Sequence, residues 1–140
     1  AECQQRQRPR AAADAFAGLT AKPGTWAAPW VRGVLDPAAR PAAVSALLAV
    51  DDNERLMRAE LLFEWALLGE TERAAASLRA ISARPIARWV EDLWWPELAG
   101  VRRHAGFAEA AERNGLAALW AARGAPDLCE RQANGTWACR

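Results

Sequence analysis

The sequence has little of what most metal centres and nucleophilic active sites require. Its 140 residues include one histidine, His104, and three cysteines, Cys3, Cys129 and Cys139. No two cysteines form a CxxC pair, and one histidine does not complete a Cys/His zinc set. Gly-x-Ser-x-Gly, His-Glu-x-x-His and glycine-rich phosphate-binding motifs are also missing. We therefore expect no metal, no cofactor and no catalytic residue, and hence a protein that is not an enzyme.

Long apolar runs and concentrated charge are missing as well. The longest apolar run lies near residues 42–50, well short of the about 18 residues that cross a bilayer. The 18 basic and 17 acidic residues interleave, apart from a short patch at Arg6, Arg8 and Arg10, for a formal net charge of +1. Nucleic-acid binding through phosphates needs a concentrated basic face. The sequence thus predicts no transmembrane segment and no nucleic-acid binding by this domain.

Strand-like alternation is not found either, whereas helical spacing recurs along the chain. The composition is 52% hydrophobic and 25% charged, and all but one of the 18 basic residues are arginine. Alanine and arginine favour helices, although a GC-rich genome would give the same bias. We expect one all-α domain over residues 1–140. It would comprise poorly defined helices over 10–50, helical hairpins over 51–124 and an irregular tail over 125–140.

The clearest pattern is a helical hairpin that follows residue 51. Asp51 and Glu54 form a capping pair for its first helix, and Gly69 suits the end of that helix. Pro85 interrupts the second helix. A short connection at residues 69–71 makes the two helices antiparallel.

Within this hairpin, six residues recur at intervals of 4, 4, 5, 4 and 3: Leu61, Trp65, Gly69, Ala74, Leu78 and Ile81. The pattern resembles the tetratricopeptide repeat, in which a small residue lets the second helix approach the first closely. One departure is Arg58, which stands where that family has a tryptophan. The resemblance implies antiparallel helical hairpins stacked as a short TPR-like α-solenoid or a compact helical bundle.

A second resemblance covers the C-terminal half. It rests on Leu93-Trp94-Trp95-Pro96-Glu97, the basic pair Arg102-Arg103, Gly115-Leu116, and Pro126-Asp127-Leu128-Cys129. These segments are similar to the ending of many bacterial tetratricopeptide-type proteins, which are often attached to regulatory or sensory domains. His104 occupies a position where the family usually has an aspartate that caps the next helix, and histidine is the poorer cap.

The stretch 94–107 is interpreted as a corner between helix pairs. Pro96 is expected to open a short helix and His104 to stand in a capping position. Adjacent residues on a helix point in different directions, so Trp94 and Trp95 cannot both face one core. At least one of them should be partly exposed or pack elsewhere.

Candidate binding residues follow from these patterns. Three tryptophans in less regular segments are candidates for a partner-binding or dimerising surface, which leaves a homo-oligomer open: Trp26, Trp30 and Trp137. Arg102 and Arg103, beside Trp95, would bind an anion. The alternative is that they form a solvated basic pair at a helix end. The predicted ligand- or partner-binding set is Trp26, Trp30, Trp95, Arg102 and Arg103.

The positions of the cysteines in the sequence give an indication of the cellular compartment. Cys129 and Cys139 lie ten residues apart around the turn-forming Asn134-Gly135, so a disulfide across this tail is geometrically feasible. It favours a periplasmic or secreted protein, whereas two unpaired thiols would indicate the cytoplasm. The start Ala1-Glu2-Cys3 fits a secreted chain after signal removal, or the boundary of an expressed fragment. The role of Cys3 stays open.

These observations predict a non-catalytic helical-repeat module that binds another protein or peptide, with a regulatory or sensory role implied by the resemblance. The alternative is a small-molecule or cell-wall ligand sensor with a pocket lined by tryptophan and arginine.

Overall fold

The computed structural model describes residues 26–53, 61–83, 90 and 93–140. The chain divides into two compact units, residues 1–57 and 58–140. Its described residues are mostly helical, with one small two-stranded sheet, which confirms the prediction of a predominantly helical protein. No helix among them is both long and apolar enough to cross a membrane. Several residues used in the sequence analysis lie outside the described ranges: Cys3, Arg6, Arg8, Arg10, Glu54, Arg58 and Pro85.

The first unit contains two described helices, α1 (Ala27–Leu35) and α2 (Arg40–Asn53), which pack together. A 3-10 turn over Pro37–Ala39 connects them, and the Asp36 carboxylate caps it by accepting the Ala38 N–H at 2.9 Å. The core between the two helices is formed by four buried side chains: Ala27, Trp30, Ala43 and Leu47.

Asp51 requires a correction. The capping pattern predicts that it begins a new helix, but it lies inside α2, which is described as far as Asn53. The apolar segment that precedes Asp51 contains no glycine or proline, so nothing there ends the helix. The next described helix begins only at Leu62.

In the second unit, α3 (Leu62–Leu67) and α4 (Thr71–Ser82) form the predicted hairpin. Gly69 turns the chain between them with a φ of 79°, a conformation that favours glycine. The apolar residues of the spacing pattern are all buried: Leu61, Trp65, Ala74, Leu78 and Ile81. Helical periodicity therefore identified the core face of both helices correctly.

The corner follows. Pro96 opens a 3-10 turn, as predicted, and the chain continues through three short helices. These elements are the turn Pro96–Leu98, α5 (Ala99–Arg102), α6 (Ala105–Arg113) and α7 (Leu116–Arg123). His104 caps α6 through Nδ1, which accepts the Gly106 N–H at 3.0 Å. The interpretation of this stretch as a corner is confirmed.

Helices α4 and α6 run parallel and in register. Four contacting pairs mark their shared interface from N-terminal to C-terminal end: Glu72–His104, Ala75–Gly106, Arg79–Glu109 and Ser82–Arg113. The residue number rises along both helices together, and the hydrogen-bonded pairs are separated by 30 to 32 positions. Two successive segments of the chain therefore place a helix in the same orientation.

The chain ends in an antiparallel strand pair, β1 (Cys129–Arg131) and β2 (Trp137–Cys139). Cys129 lies directly opposite Cys139, and the two form the predicted disulfide, with an S–S distance of 1.97 Å and a Cα–Cα distance of 4.1 Å. The Cys129 N–H donates to Pro126 rather than across the strands. The cysteines thus occupy a non-hydrogen-bonded pair, where opposing side chains approach most closely.

This hairpin corrects the expectation of an irregular tail. Each strand has three residues, too few to show an alternating pattern in the sequence. Asn134 organises the turn by accepting the Thr136 N–H at 3.0 Å, and Gly135 takes a φ of 85°. An asparagine–glycine turn is the local signal that favours the pair.

Candidate interaction surface at Trp95

Trp94 and Trp95 point to different surroundings. Trp94 is half-buried, and its ring meets Phe107 and Trp120 edge to face, with centroids 6.4 Å apart in both contacts. Trp95 is 51% exposed. It precedes Pro96 and takes an extended conformation (φ −64°, ψ 141°), as the residue before proline usually does. The expectation that one of the two tryptophans is exposed is confirmed.

Trp94 belongs to an aromatic cluster that also contains Phe107, Trp120 and Trp137. Phe107 stacks on Trp120 at 6.4 Å, and Trp137 meets Trp120 edge to face at 5.5 Å. Trp137 had been a candidate for a partner-binding surface. Its half-buried ring instead connects the hairpin to α7.

Among the described residues, Trp95 has one aromatic neighbour, Phe63 on α3. Their ring centroids are 5.5 Å apart and the planes cross at 85°, an edge-to-face pair. Phe63 is half-buried, so the Trp95 ring is supported from one side while half of its surface faces solvent. We call this pair, Phe63 and Trp95, the Trp95 surface.

Arg102 fixes the backbone beneath that surface. It is 5% exposed, and its guanidinium donates three hydrogen bonds, all to backbone oxygens. Nη1 donates to Leu93 at 2.6 Å and to Trp95 at 2.8 Å, and Nε donates to Arg140 at 2.9 Å. Burial, and after it the charge of Arg103, lowers the pKa of the Arg102 guanidinium.

The predicted role of Arg102 is therefore corrected. A buried guanidinium must keep its donors paired, and here these donors hold the corner and the end of β2 rather than a ligand. Arg103, the other member of the basic pair, is exposed and carries its charge at the surface.

Trp26 and Trp30, proposed as surface residues, lie in the first unit. Trp30 is 2% exposed, and its ring meets the half-buried Trp26 edge to face at 6.0 Å. The Trp30 ring is part of the core and presents no face to a partner. The segment was too short for its spacing to distinguish core from surface.

His104 uses both ring nitrogens. Because Nδ1 accepts the Gly106 N–H, the ring proton is assigned to Nε2, which donates to the Glu72 carboxylate at 3.0 Å. The ring thereby joins the N-terminal ends of α4 and α6. Among the described residues, no three His, Cys, Asp or Glu side chains are grouped to hold a metal ion.

Sequence reasoning missed one residue of this site, Phe63, and the structural role of Arg102. Phe63 lies beside the Leu61/Trp65 core pattern and has no spacing signal of its own. The structural role of Arg102 had one available signal, a charged residue directly after the buried Val101 in a short apolar helix. A comparison of the chain with known protein families, with curated proteins and with solved structures finds no match.

Proposed function

We propose that residues 58–140 form a non-catalytic helical-repeat module, similar to the tetratricopeptide repeat, that binds another protein or peptide at the Trp95 surface. The parallel register of α4 and α6 supports the repeat. Equivalent helices of stacked repeats run in the same direction, and the separation of 30 to 32 positions approaches the about 34 residues of a tetratricopeptide unit. The resemblance implies a regulatory or sensory role.

One observation carries the binding proposal: the side chain of Trp95 is exposed, and a hydrogen bond holds its backbone in place. Trp95 is 51% exposed, while its carbonyl accepts a hydrogen bond from the buried Arg102. Tryptophan is enriched among the residues that dominate binding energy at interfaces. An anchor that is already ordered loses little conformational entropy when a partner binds.

A matched pair of variants tests this proposal. Leu119 on α7 is 52% exposed and serves as the control for Trp95. Wild type, Trp95→Ala and Leu119→Ala would each select from a displayed library of random peptides. We expect enriched peptides for wild type and Leu119→Ala, and none for Trp95→Ala with an unchanged far-ultraviolet circular dichroism spectrum. Equal enrichment by all three proteins would refute the Trp95 surface.

The small-molecule or cell-wall ligand sensor has less support. Its pocket would be lined by tryptophan and arginine, but Arg102 is 5% exposed and three of its N–H groups already bind backbone oxygens. Arg103 alone remains from the basic pair as a group for an anionic ligand. No observation favours this alternative over peptide binding.

A periplasmic or secreted location is part of the proposal. It is supported by the Cys129–Cys139 disulfide, because such bonds persist in oxidising compartments. Protein taken from its native host would be alkylated without reductant and then analysed by mass spectrometry. Unmodified Cys129 and Cys139 are expected; alkylation of both would place the protein in a reducing compartment.

A further inference from the structure

We propose that the segment bound at the Trp95 surface is acidic: carboxylate side chains pair with Arg103 and Arg140 while an apolar residue lies against the exposed ring of Trp95. This inference rests on the proposed function and names the chemistry of the partner.

The guanidinium of Arg102 brings the backbones of Trp95 and Arg140 together. Its Nη1 atom binds the Trp95 carbonyl and its Nε atom binds the Arg140 carbonyl. Because both atoms belong to one planar group, the backbones of Trp95 and Arg140 meet at this side chain. Arg103 follows it directly in sequence. Trp95, Arg103 and Arg140 are all exposed.

Within the described residues, the charge of these two arginines is not paired. Elsewhere in the unit, Arg73 pairs with Glu70 at 3.4 Å and Arg79 with Glu109 at 3.0 Å. Arg103 and Arg140 form no ion pair with any carboxylate in the described part of the chain.

Two further groups define the electrostatics of the corner. The charge of Arg103 contributes to the lowered pKa of Arg102, so the two cations lie close enough to repel each other. Glu97 is the acidic residue of the 3-10 turn, and its Oε2 is buried without a hydrogen-bond partner. Among the charged residues of this corner, Glu97 is half-buried and Arg103 and Arg140 are exposed. The exposed charges are therefore positive, and an acidic segment complements them.

A peptide fits this surface better than a nucleic acid does. Single-stranded nucleic acid is held by a basic groove that follows the backbone over several nucleotides. Here the exposed groups of the corner include two arginines and one tryptophan, and the whole chain has a formal net charge of +1. One or two carboxylates beside an apolar side chain match that size and charge.

The test uses peptides selected from the same random library. We expect peptides that depend on Trp95 to be enriched in Asp and Glu, and their affinity, measured by fluorescence anisotropy, to fall as NaCl is raised. The double variant Arg103→Glu/Arg140→Glu should bind them at least about tenfold more weakly, which corresponds to about 1.4 kcal/mol. It should itself select peptides rich in Lys and Arg. Arg123→Glu, an exposed position on α7, is the control and should retain the acidic preference.

Each of the other possible results overturns the acidic partner or the proposed function. Trp95-dependent peptides without acidic enrichment, or with affinity unchanged in the double variant, overturn the acidic partner and leave the peptide-binding function standing. A poly-uridine oligonucleotide that binds more tightly than the selected peptides and is released by the double variant would identify nucleic acid instead. If no peptide depends on Trp95, the proposed function fails and this inference fails with it.

Discussion

The Nη1 atom of Arg102 lies 2.8 Å from the carbonyl oxygen of Trp95, so a buried cation holds the backbone of an exposed aromatic residue. The same nitrogen binds the Leu93 carbonyl, and the two bonds fix the chain on both sides of Trp94. Trp94 can therefore point into the aromatic cluster while Trp95 points outward. Loss of these two hydrogen bonds should affect both the stability of the unit and the Trp95 surface.

Replacing Arg102 by methionine should destabilise the second unit by about 2–4 kcal/mol. Methionine fills much of the buried space but donates no hydrogen bond, so three backbone oxygens lose their partner. Urea denaturation measures the loss, and hydrogen exchange should show faster opening around Trp95. Arg103→Met, at the exposed neighbouring position, should change stability by no more than about 0.5 kcal/mol. Equal losses of stability in the two variants would show that the Arg102 hydrogen bonds do not stabilise the unit.

Replacing His104 by alanine should cost about 1 kcal/mol, the usual effect of removing a helix N-cap. Nδ1 accepts the Gly106 N–H at the start of α6, and alanine leaves that donor without a side-chain partner. His104→Asn retains a capping oxygen and should recover most of the loss. The Glu72 side chain is 85% exposed, so Glu72→Ala should have a smaller effect than His104→Ala. Thermal denaturation of the three variants separates capping from the Glu72 hydrogen bond. If that bond dominated, Glu72→Ala would cost as much as His104→Ala, and His104→Asn would recover little of the loss.

Removing the disulfide with Cys129→Ser/Cys139→Ser should lower stability by about 2–3 kcal/mol, the value expected for a loop of this length. The strands are short, so their register depends on the covalent link. The hairpin also holds Arg140 at the Arg102 guanidinium and Trp137 against Trp120. Hydrogen exchange should therefore accelerate in residues 129–139 and, to a smaller degree, at Trp95. Unchanged exchange at Trp95 would show that the hairpin and the corner are independent.

The sequence predicts the core of this chain better than its site, for a physical reason. Burial of Leu61, Trp65 and Leu78 follows from helical spacing, which is a local property. The separation of Trp94 from Trp95 also follows from local geometry. By contrast, the hydrogen bonds of Arg102 join residues 93, 95 and 140, a meeting of segments that no periodicity encodes.

The first unit and the C-terminal tail also show what local sequence patterns do not predict. Trp30 belongs to a short segment whose pattern did not reveal which face would be covered by α2. Cys129 and Cys139 were paired correctly because their spacing around Asn134-Gly135 is local. Their strands were missed because three residues carry too little alternation.

Gly106 lies at the start of α6, beside the imidazole ring of His104 that caps this helix. A methyl group built there would lie 3.2 Å from Nδ1 of His104 and 3.5 Å from Cβ of Ala75. Gly106→Ala should therefore destabilise the unit by about 1 kcal/mol, even though alanine normally stabilises a helix by a similar amount.

Gly100 on α5 provides the comparison for that substitution. A methyl group there approaches only the Thr71 side chain, at 3.3 and 3.9 Å, and a threonine rotamer change relieves the contact more readily than movement of a helix. Gly100→Ala should thus be neutral or slightly stabilising in urea denaturation. If Gly106→Ala were equally well tolerated, the contact with the His104 ring would not limit the size of the side chain at the start of α6.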